Sequence, residues 1–113
     1  MRVVEEKISL CELREMAQAT FGGFVKAVAD VERAIMAVDA PMHSDEEAEL
    51  LRSGSRQEDL WGINLYPDEE GDAFVEFDSM INLRPSQGNR SRGVDSAEIR
   101  EAIVGIVGRL VQR

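Results

Sequence analysis

The sequence has one cysteine, Cys11, so no disulfide can form within the chain. It has one histidine, one tryptophan and one tyrosine, and aromatic residues make up only 5% of it. Its only lysines are Lys7 and Lys26, set against 22 acidic residues, and its formal net charge is -9. That shortage of positive charge argues against general binding to DNA, RNA or an anionic membrane. With so few aromatics it disfavours an RNA-binding domain in particular. No apolar run is long enough to span a bilayer. The first residues, MRVVEEKISL, have acids where a signal peptide needs an apolar core. A cytoplasmic location is therefore expected. There is no P-loop and no dinucleotide fingerprint.

What remains is a chain of 113 residues, 43% hydrophobic and 31% charged. These values predict one soluble globular domain able to bury a core without staples. The stretch from Leu60 to Gly93 organises it. Trp61, Ile63 and Leu65 alternate on one face of a first strand, and Val75, Phe77 and Ile81 on one face of a second. A turn at Pro67–Asp72 sets these apolar rows together. The other face then carries Gly62 opposite Asp78 and Asn64 opposite Glu76, with Tyr66 and Asn82 beside them. One face is core and the other polar, as in an antiparallel sheet covered on one side.

Three capping boxes predict helix starts: Ser9-Leu10-Cys11-Glu12, Ser44-Asp45-Glu46-Glu47, and Asp95-Ser96-Ala97-Glu98 with Asp95 as the cap. The first helix should run to about Thr20, with a stripe of Leu10, Leu13, Ala17 and Phe21, and stop at Gly22-Gly23. The second should bury Ala48 and Leu51. The third shows Ile99, Ile103, Ile106, Val107 and Leu110 on one stripe. Gly105 and Gly108 each cost that helix about 1 kcal/mol relative to alanine, which suggests close backbone approach to the sheet or to a second copy of the chain. Phe24–Asp39 fits a helix or a hairpin. The hairpin, turning at Val31-Glu32 with Val25, Ala27, Ala29, Ala34, Met36 and Val38 on one face, is preferred because it extends the second hairpin into a four-stranded sheet.

Candidate chemistry sits in a few places. The loop Arg84–Gly93 has three arginines and no acid, and it leads into a helix N-terminus, a combination suited to a phosphate or carboxylate. The competing reading is that its arginines neutralise Glu76 and Asp78. His43 is the one side chain whose ordinary pKa suits a general base at neutral pH. A metal site drawn from His43, Asp45 and Asp78 has too few ligands to stand, and a helix cap explains the same residues. Asp78 and Glu76 project from one strand face as an acid/base pair or as a solvated face. Cys11 reads as a packed thiol, Trp61 as core, and Tyr66 as a rim residue able to stack on a ligand.

Trp61-Gly62-x-Asn64-x-Tyr66-Pro67, followed by Asp78-Ser79-x-Ile81-Asn82-x-Arg84-Pro85-Ser86-Gln87-Gly88-Asn89-Arg90-Ser91, resembles the hallmark of a family of small bacterial and archaeal proteins, a domain of unknown function. Asp30-Val31-Glu32 and His43-x-Asp45 are similar to that family's pattern too, whereas Ala40-Pro41-Met42 stands where a more glycine- and glutamate-like segment is expected. The resemblance implies a single-domain soluble protein and brings no activity or cofactor.

The fold expected is α+β: an antiparallel sheet of about four strands in two hairpins with three helices, in the order α-β-β-α-β-β-α, the last helix packed over the apolar face. The function expected is a site for a phosphate- or carboxylate-bearing small molecule. Arg84, Asn89 and Arg90 hold the anion, helped by Gln87. Asp78, Asn82, Asn64 and Tyr66 orient the rest, and His43 and Asp45 close the site. Hydrolysis or transfer with His43 or Asp78 as base is the chemistry such a site suits. The rival expectation is a non-catalytic module that forms a homodimer or binds a protein through the Gly105/Gly108 helix and the polar sheet face.

Overall fold

Val25–Asp30 and Leu60–Leu65 alternate across the pleat as two six-residue strands, and together they form the middle of the sheet. The computed structural model describes residues 1–20 and 22–113. Its elements are β1 (Arg2–Val4), β2 (Ile8–Ser9), α1 (Leu10–Gln18), β3 (Val25–Asp30), β4 (Ile35–Val38), α2 (His43–Arg52), β5 (Leu60–Leu65), β6 (Val75–Glu76), α3 (Ala97–Leu110) and β7 (Val111–Gln112). Short 3-10 turns stand at Gln57–Asp59, Gly71–Ala73, Met80–Asn82 and Pro85–Gln87. The main sheet has five strands in the order β1-β4-β3-β5-β6, antiparallel throughout, and β2 and β7 form a small parallel pair. The fold is α+β. The expected four strands gain an edge strand, β1, and the expected order gains β1, β2 and β7.

Phe24–Asp39 is a hairpin, with Ala27 opposite Val38 and Ala29 opposite Met36. Its turn spans Val31 to Ala34, not the two residues Val31-Glu32. Buried Asp30 sets it: Oδ1 accepts from the Glu32 and Arg33 amides at 2.9 Å, and Oδ2 accepts from Ser55 Oγ at 2.6 Å. The register therefore moves by two residues. Because strand side chains repeat every two residues, the core face is unchanged. In the second hairpin Asn64 does lie opposite Glu76. However, β6 ends there, and the expected strand to Leu83 leaves the sheet, so Asp78 does not pair with Gly62.

Both sheet faces are covered, which corrects the one-sided expectation. On one face Ala27, Ala29, Met36, Trp61, Ile63 and Leu65 pack with Leu13 and Ala17 of α1 and with Ile103, Val107 and Leu110 of α3. On the other, Val28, Ala37 and Leu60 pack with Leu50 of α2, and Ile81 packs at the margin.

The helix starts follow their caps unequally. At α1, Ser9 Oγ accepts from Glu12 N at 3.0 Å and Glu12 Oε2 accepts from Ser9 N at 3.1 Å, completing the box. The helix stops at Gln18, and Phe21 lies outside the described residues. α2 begins one residue before its expected cap: Met42 occupies the cap and supplies no side-chain bond. It buries Glu46 and Leu50, while Ala48 and Leu51 are exposed. The cap of α3 is Ser96, whose hydroxyl accepts from Ile99 N, because the Asp95 carboxylate is already held by the Arg90 amide and Ser91 Oγ. Cys11 is exposed, not packed. A Cβ added at Gly105 or Gly108 would meet nothing within 4 Å among the described residues, so none of those residues packs closely on either glycine. Among those residues no helix is long and apolar enough to cross a membrane.

Candidate ligand-binding site

With β6 ending at Glu76, the outer edge of β5 from Leu60 to Gly62 lacks a strand partner, and its backbone groups must find others. Asn82 serves Gly62: its Oδ1 accepts from Gly62 N at 2.8 Å, and its Nδ2 donates to Gly62 O at 3.0 Å and Arg92 O at 2.9 Å. Arg84 donates to the carbonyls of Gln57 and Leu60, and its guanidinium lies 4.1 Å from the Trp61 ring centroid. Gln87 Nε2 donates to Glu58 O at 2.8 Å. Asn89, 4% exposed, donates from Nδ2 to the carbonyls of Asn82, Ser91 and Gly93 and accepts at Oδ1 from Asp95 N. Arg84, Gln87, Asn89 and Asn82, the residues expected to bind a ligand, are thus engaged by the chain's own backbone. Arg90 is exposed and takes part in none of the ion pairs among the described residues. Arg92 donates from Nε to Asp78 Oδ1 at 2.7 Å.

The convergent polar groups lie on the second sheet face, beside the Ser79–Ile81 segment. Lys26 of β3 is directly opposite Asn64 of β5, which is directly opposite Glu76 of β6. Directly opposed residues point to the same face, so the three side chains form one row across three strands. The N-terminus of α2 faces this row and brings His43 and Ser44 to it. Together they wall a cleft of about 560 Å³ that also includes Tyr66, Asp78 and Arg92, with Phe24, Met42, Met80 and Ile81 as its apolar part. A separate groove of about 420 Å³, between α3 and the Gly71–Phe77 segment, is walled largely by Val75, Phe77, Ala97 and Val104.

Within the cleft several polar atoms are paired. Asn64 Nδ2 donates to Glu76 Oε1 at 2.8 Å, and the Tyr66 hydroxyl donates to the same oxygen at 3.0 Å. Burial, then the Glu76 carboxylate, push the Tyr66 phenol above its ordinary pKa. His43 Nε2 lies 2.7 Å from the Ile63 carbonyl. A carbonyl only accepts, so Nε2 carries the proton, and a neutral ring keeps Nδ1 as an acceptor. Burial pushes the His43 pKa below its usual value against the pull of the Ile63 carbonyl, and Lys26 adds to the lowering.

Two further features bear on what the cleft can hold. Asn64 is 5% exposed, and its Oδ1 has no hydrogen-bond partner. That oxygen lies close enough to His43 to favour the protonated ring, yet no donor reaches it in hydrogen-bond geometry. Lys26 is in none of the ion pairs among the described residues, and its ammonium sits 4.9 Å from the Phe24 ring centroid.

Of the residues named from the sequence, the structure brings His43, Asn64, Tyr66 and Asp78 together. It leaves Asn82, Arg84, Gln87, Asn89, Arg90 and Asp45 outside the cleft. Sequence reasoning missed Lys26, Phe24 and Ser44. Lys26 did leave a signal: it is the one charge in the middle of the apolar strand Val25-Lys26-Ala27-Val28-Ala29.

No curated protein and no solved structure matches the chain. A family model does, over residues 2–110, and it spans β5, the Asn82–Asn89 brace and every cleft residue. The chain therefore belongs to the family DUF5674, described as a protein of unknown function.

Proposed function

We propose that the protein binds a small molecule bearing a carboxylate or phosphate, in the cleft between the Lys26–Asn64–Glu76 row and the N-terminus of α2. The observation that carries this reading is Asn64. A polar side chain so deeply buried normally satisfies its carbonyl oxygen, and here that oxygen stays unpaired in the wall of a polar cleft. Two features favour an anion on the bound molecule. Among the described residues Lys26 is a cation with no carboxylate paired to it. α2, ten residues long, has no side-chain cap, so the amides of His43 and Ser44 keep the positive end of the helix open at the cleft.

The anion thus goes to the cleft and not to Arg84, Gln87 and Asn89, whose side chains are spent on the chain's own backbone. His43 is the residue in the cleft with the chemistry of a general base, since its Nε2–H is anchored and its Nδ1 carries the lone pair. Asp78 is paired with Arg92, and its role is to position that arginine.

The test is a thermal-shift and calorimetric screen against inorganic phosphate, sugar phosphates and small carboxylates. A ligand at one hundred times its Kd adds about 2.7 kcal/mol, several degrees for a domain of this size. The expected result is a rise with one anion class that Lys26→Met abolishes. No rise with any compound, or a rise indifferent to Lys26→Met, overturns the reading.

A further inference from the structure

We infer that the cleft takes a zwitterion with a primary ammonium group: a free α-amino acid with an apolar side chain. This rests on the reading of the cleft as a ligand site and specifies its occupant.

The order of groups across the sheet carries the inference. Lys26, Asn64 and Glu76 are consecutive cross-strand neighbours, so cation, carbonyl and carboxylate follow one another at intervals of about 4.8 Å. One end of the row is suited to an anion. Lys26 lies there, and His43 and Ser44 at the start of α2, which has no side-chain cap, line the same cleft. The other end is suited to a donor-rich cation. Asn64 Oδ1 is an acceptor without a donor, and Glu76 Oε1 receives both Asn64 and Tyr66 while Oε2 receives no side chain. His43 adds Nδ1 as a third acceptor, since Nε2 is committed to Ile63. Asn64 Oδ1, Glu76 Oε2 and His43 Nδ1 line one cleft with no side-chain donor on them among the described residues, which suits a group with several N–H bonds, and a primary ammonium has three.

Charge balance agrees. Lys26 and Arg92 offset Glu76 and Asp78, and the ligand for such a wall is itself neutral overall. A phosphate or a dicarboxylate would set a second negative charge against Glu76. An α-amino acid places its carboxylate and ammonium on one carbon, which suits two opposite ends of a short row. At the mouth, Met42 and Met80 are 59% and 62% exposed, and flexible thioether chains there form an adaptable apolar lip for a hydrocarbon side chain.

The experiment is a calorimetric titration of the full chain with the twenty amino acids. The best binder is then compared with its analogue lacking the amine and its analogue lacking the carboxylate; for L-leucine these are 4-methylpentanoate and 3-methylbutylamine. Inorganic phosphate is run alongside. The expected result is binding of an apolar amino acid, weakened roughly ten- to a hundredfold by loss of the amine. Glu76→Gln, whose amide oxygen can still accept from Asn64 and Tyr66, should weaken the amino acid and leave the des-amino analogue unchanged. If the des-amino analogue or phosphate binds as tightly as any amino acid, the zwitterion is wrong while the anion cleft stands. If Glu76→Gln fails to discriminate, the ammonium assignment is wrong. If no amino acid, carboxylate or phosphate binds, the inference and the reading beneath it fall together.

Discussion

The side-chain amide of Asn82 pairs with both backbone groups of Gly62, accepting from its N–H at 2.8 Å and donating to its carbonyl at 3.0 Å. It does what a neighbouring strand would do. β6 has left the sheet by this point, and a primary amide presents the same donor and acceptor pair as a peptide group. Asn82 is fully buried, so water cannot stand in for it.

Asn82→Ala should therefore be severe. It leaves Gly62 N, Gly62 O and Arg92 O without their partner, and the expected loss is about 3 kcal/mol in a urea denaturation series. A loss no larger than that of an exposed alanine substitution would show that Asn82 does not hold this edge.

Gly62 is a glycine for reasons of space, since its backbone is an ordinary strand. An added Cβ would lie 2.4 Å from Ser79 Cβ and 3.1 Å from Ile81 Cγ1. Gly62→Ala should cost about 2 kcal/mol or more. Ser79→Gly in the same chain should recover part of it, giving a non-additive double-mutant cycle. Strict additivity would show that the two residues are not in contact.

Arg84 and Lys26 should separate stability from binding. Arg84→Ala removes donors to Gln57 O and Leu60 O and the stacking on Trp61, so it lowers Tm by several degrees without touching the cleft. Lys26→Met keeps the buried stem and removes the charge, so it abolishes the ligand-induced rise with little change in the apo Tm. The reverse pattern, measured by thermal unfolding with and without ligand, would return the anion site to the arginine loop.

Glu46 gives the protein an alkaline weakness. It is fully buried in α2. Its Oε2 accepts from Ala40 N at 3.0 Å, Oε1 is unpartnered, and burial pushes its pKa up to about 9. Lys26 opposes that rise and Asp39 adds to it. Between the ordinary value of 4.5 and about 9, the folded state holds a proton that the unfolded state has lost. Stability therefore falls as pH rises across that window. Glu46→Gln keeps the acceptor for Ala40 and has no proton to lose. Its Tm advantage over the parent should widen with rising pH up to about 9 and then flatten. A constant difference in Tm across the window would refute the burial of a neutral acid here.

Local signals in the sequence carried a good part of the fold. Ser9 and Glu12 are three residues apart, and their capping box forms as read. Alternation in Leu60–Leu65 placed Trp61, Ile63 and Leu65 on the core face and Asn64 opposite Glu76. The Phe24–Asp39 hairpin kept its core face even with its register moved by two, because parity is all that a period of two preserves. Part of the cleft was legible for the same reason: Asn64 and Tyr66 stand in or beside β5, whose faces alternation reveals, whereas Asp78 lies past the end of β6 and His43 opens a helix one residue before its expected cap.

The rest was decided in three dimensions. Arginine, glutamine and asparagine side chains look alike in sequence whether they await a ligand or brace a backbone. The carbonyls that claim Arg84 and Gln87 are 24 to 29 residues away, on an edge that exists only because β6 stops. Glu46 reads as a solvated acid until α2 turns it inward one helical turn before Leu50. Lys26 reads as a strand residue until β3 sets it opposite Asn64. Periodicity and capping depend on neighbours along the chain, so the sequence alone determined α1, α3, the Phe24–Asp39 hairpin and the core face of β5, while the buried face of α2 and the end of β6 were settled by packing. Which polar groups remain unpaired depends on partners that only the packed sheet brings together, and that choice placed the site.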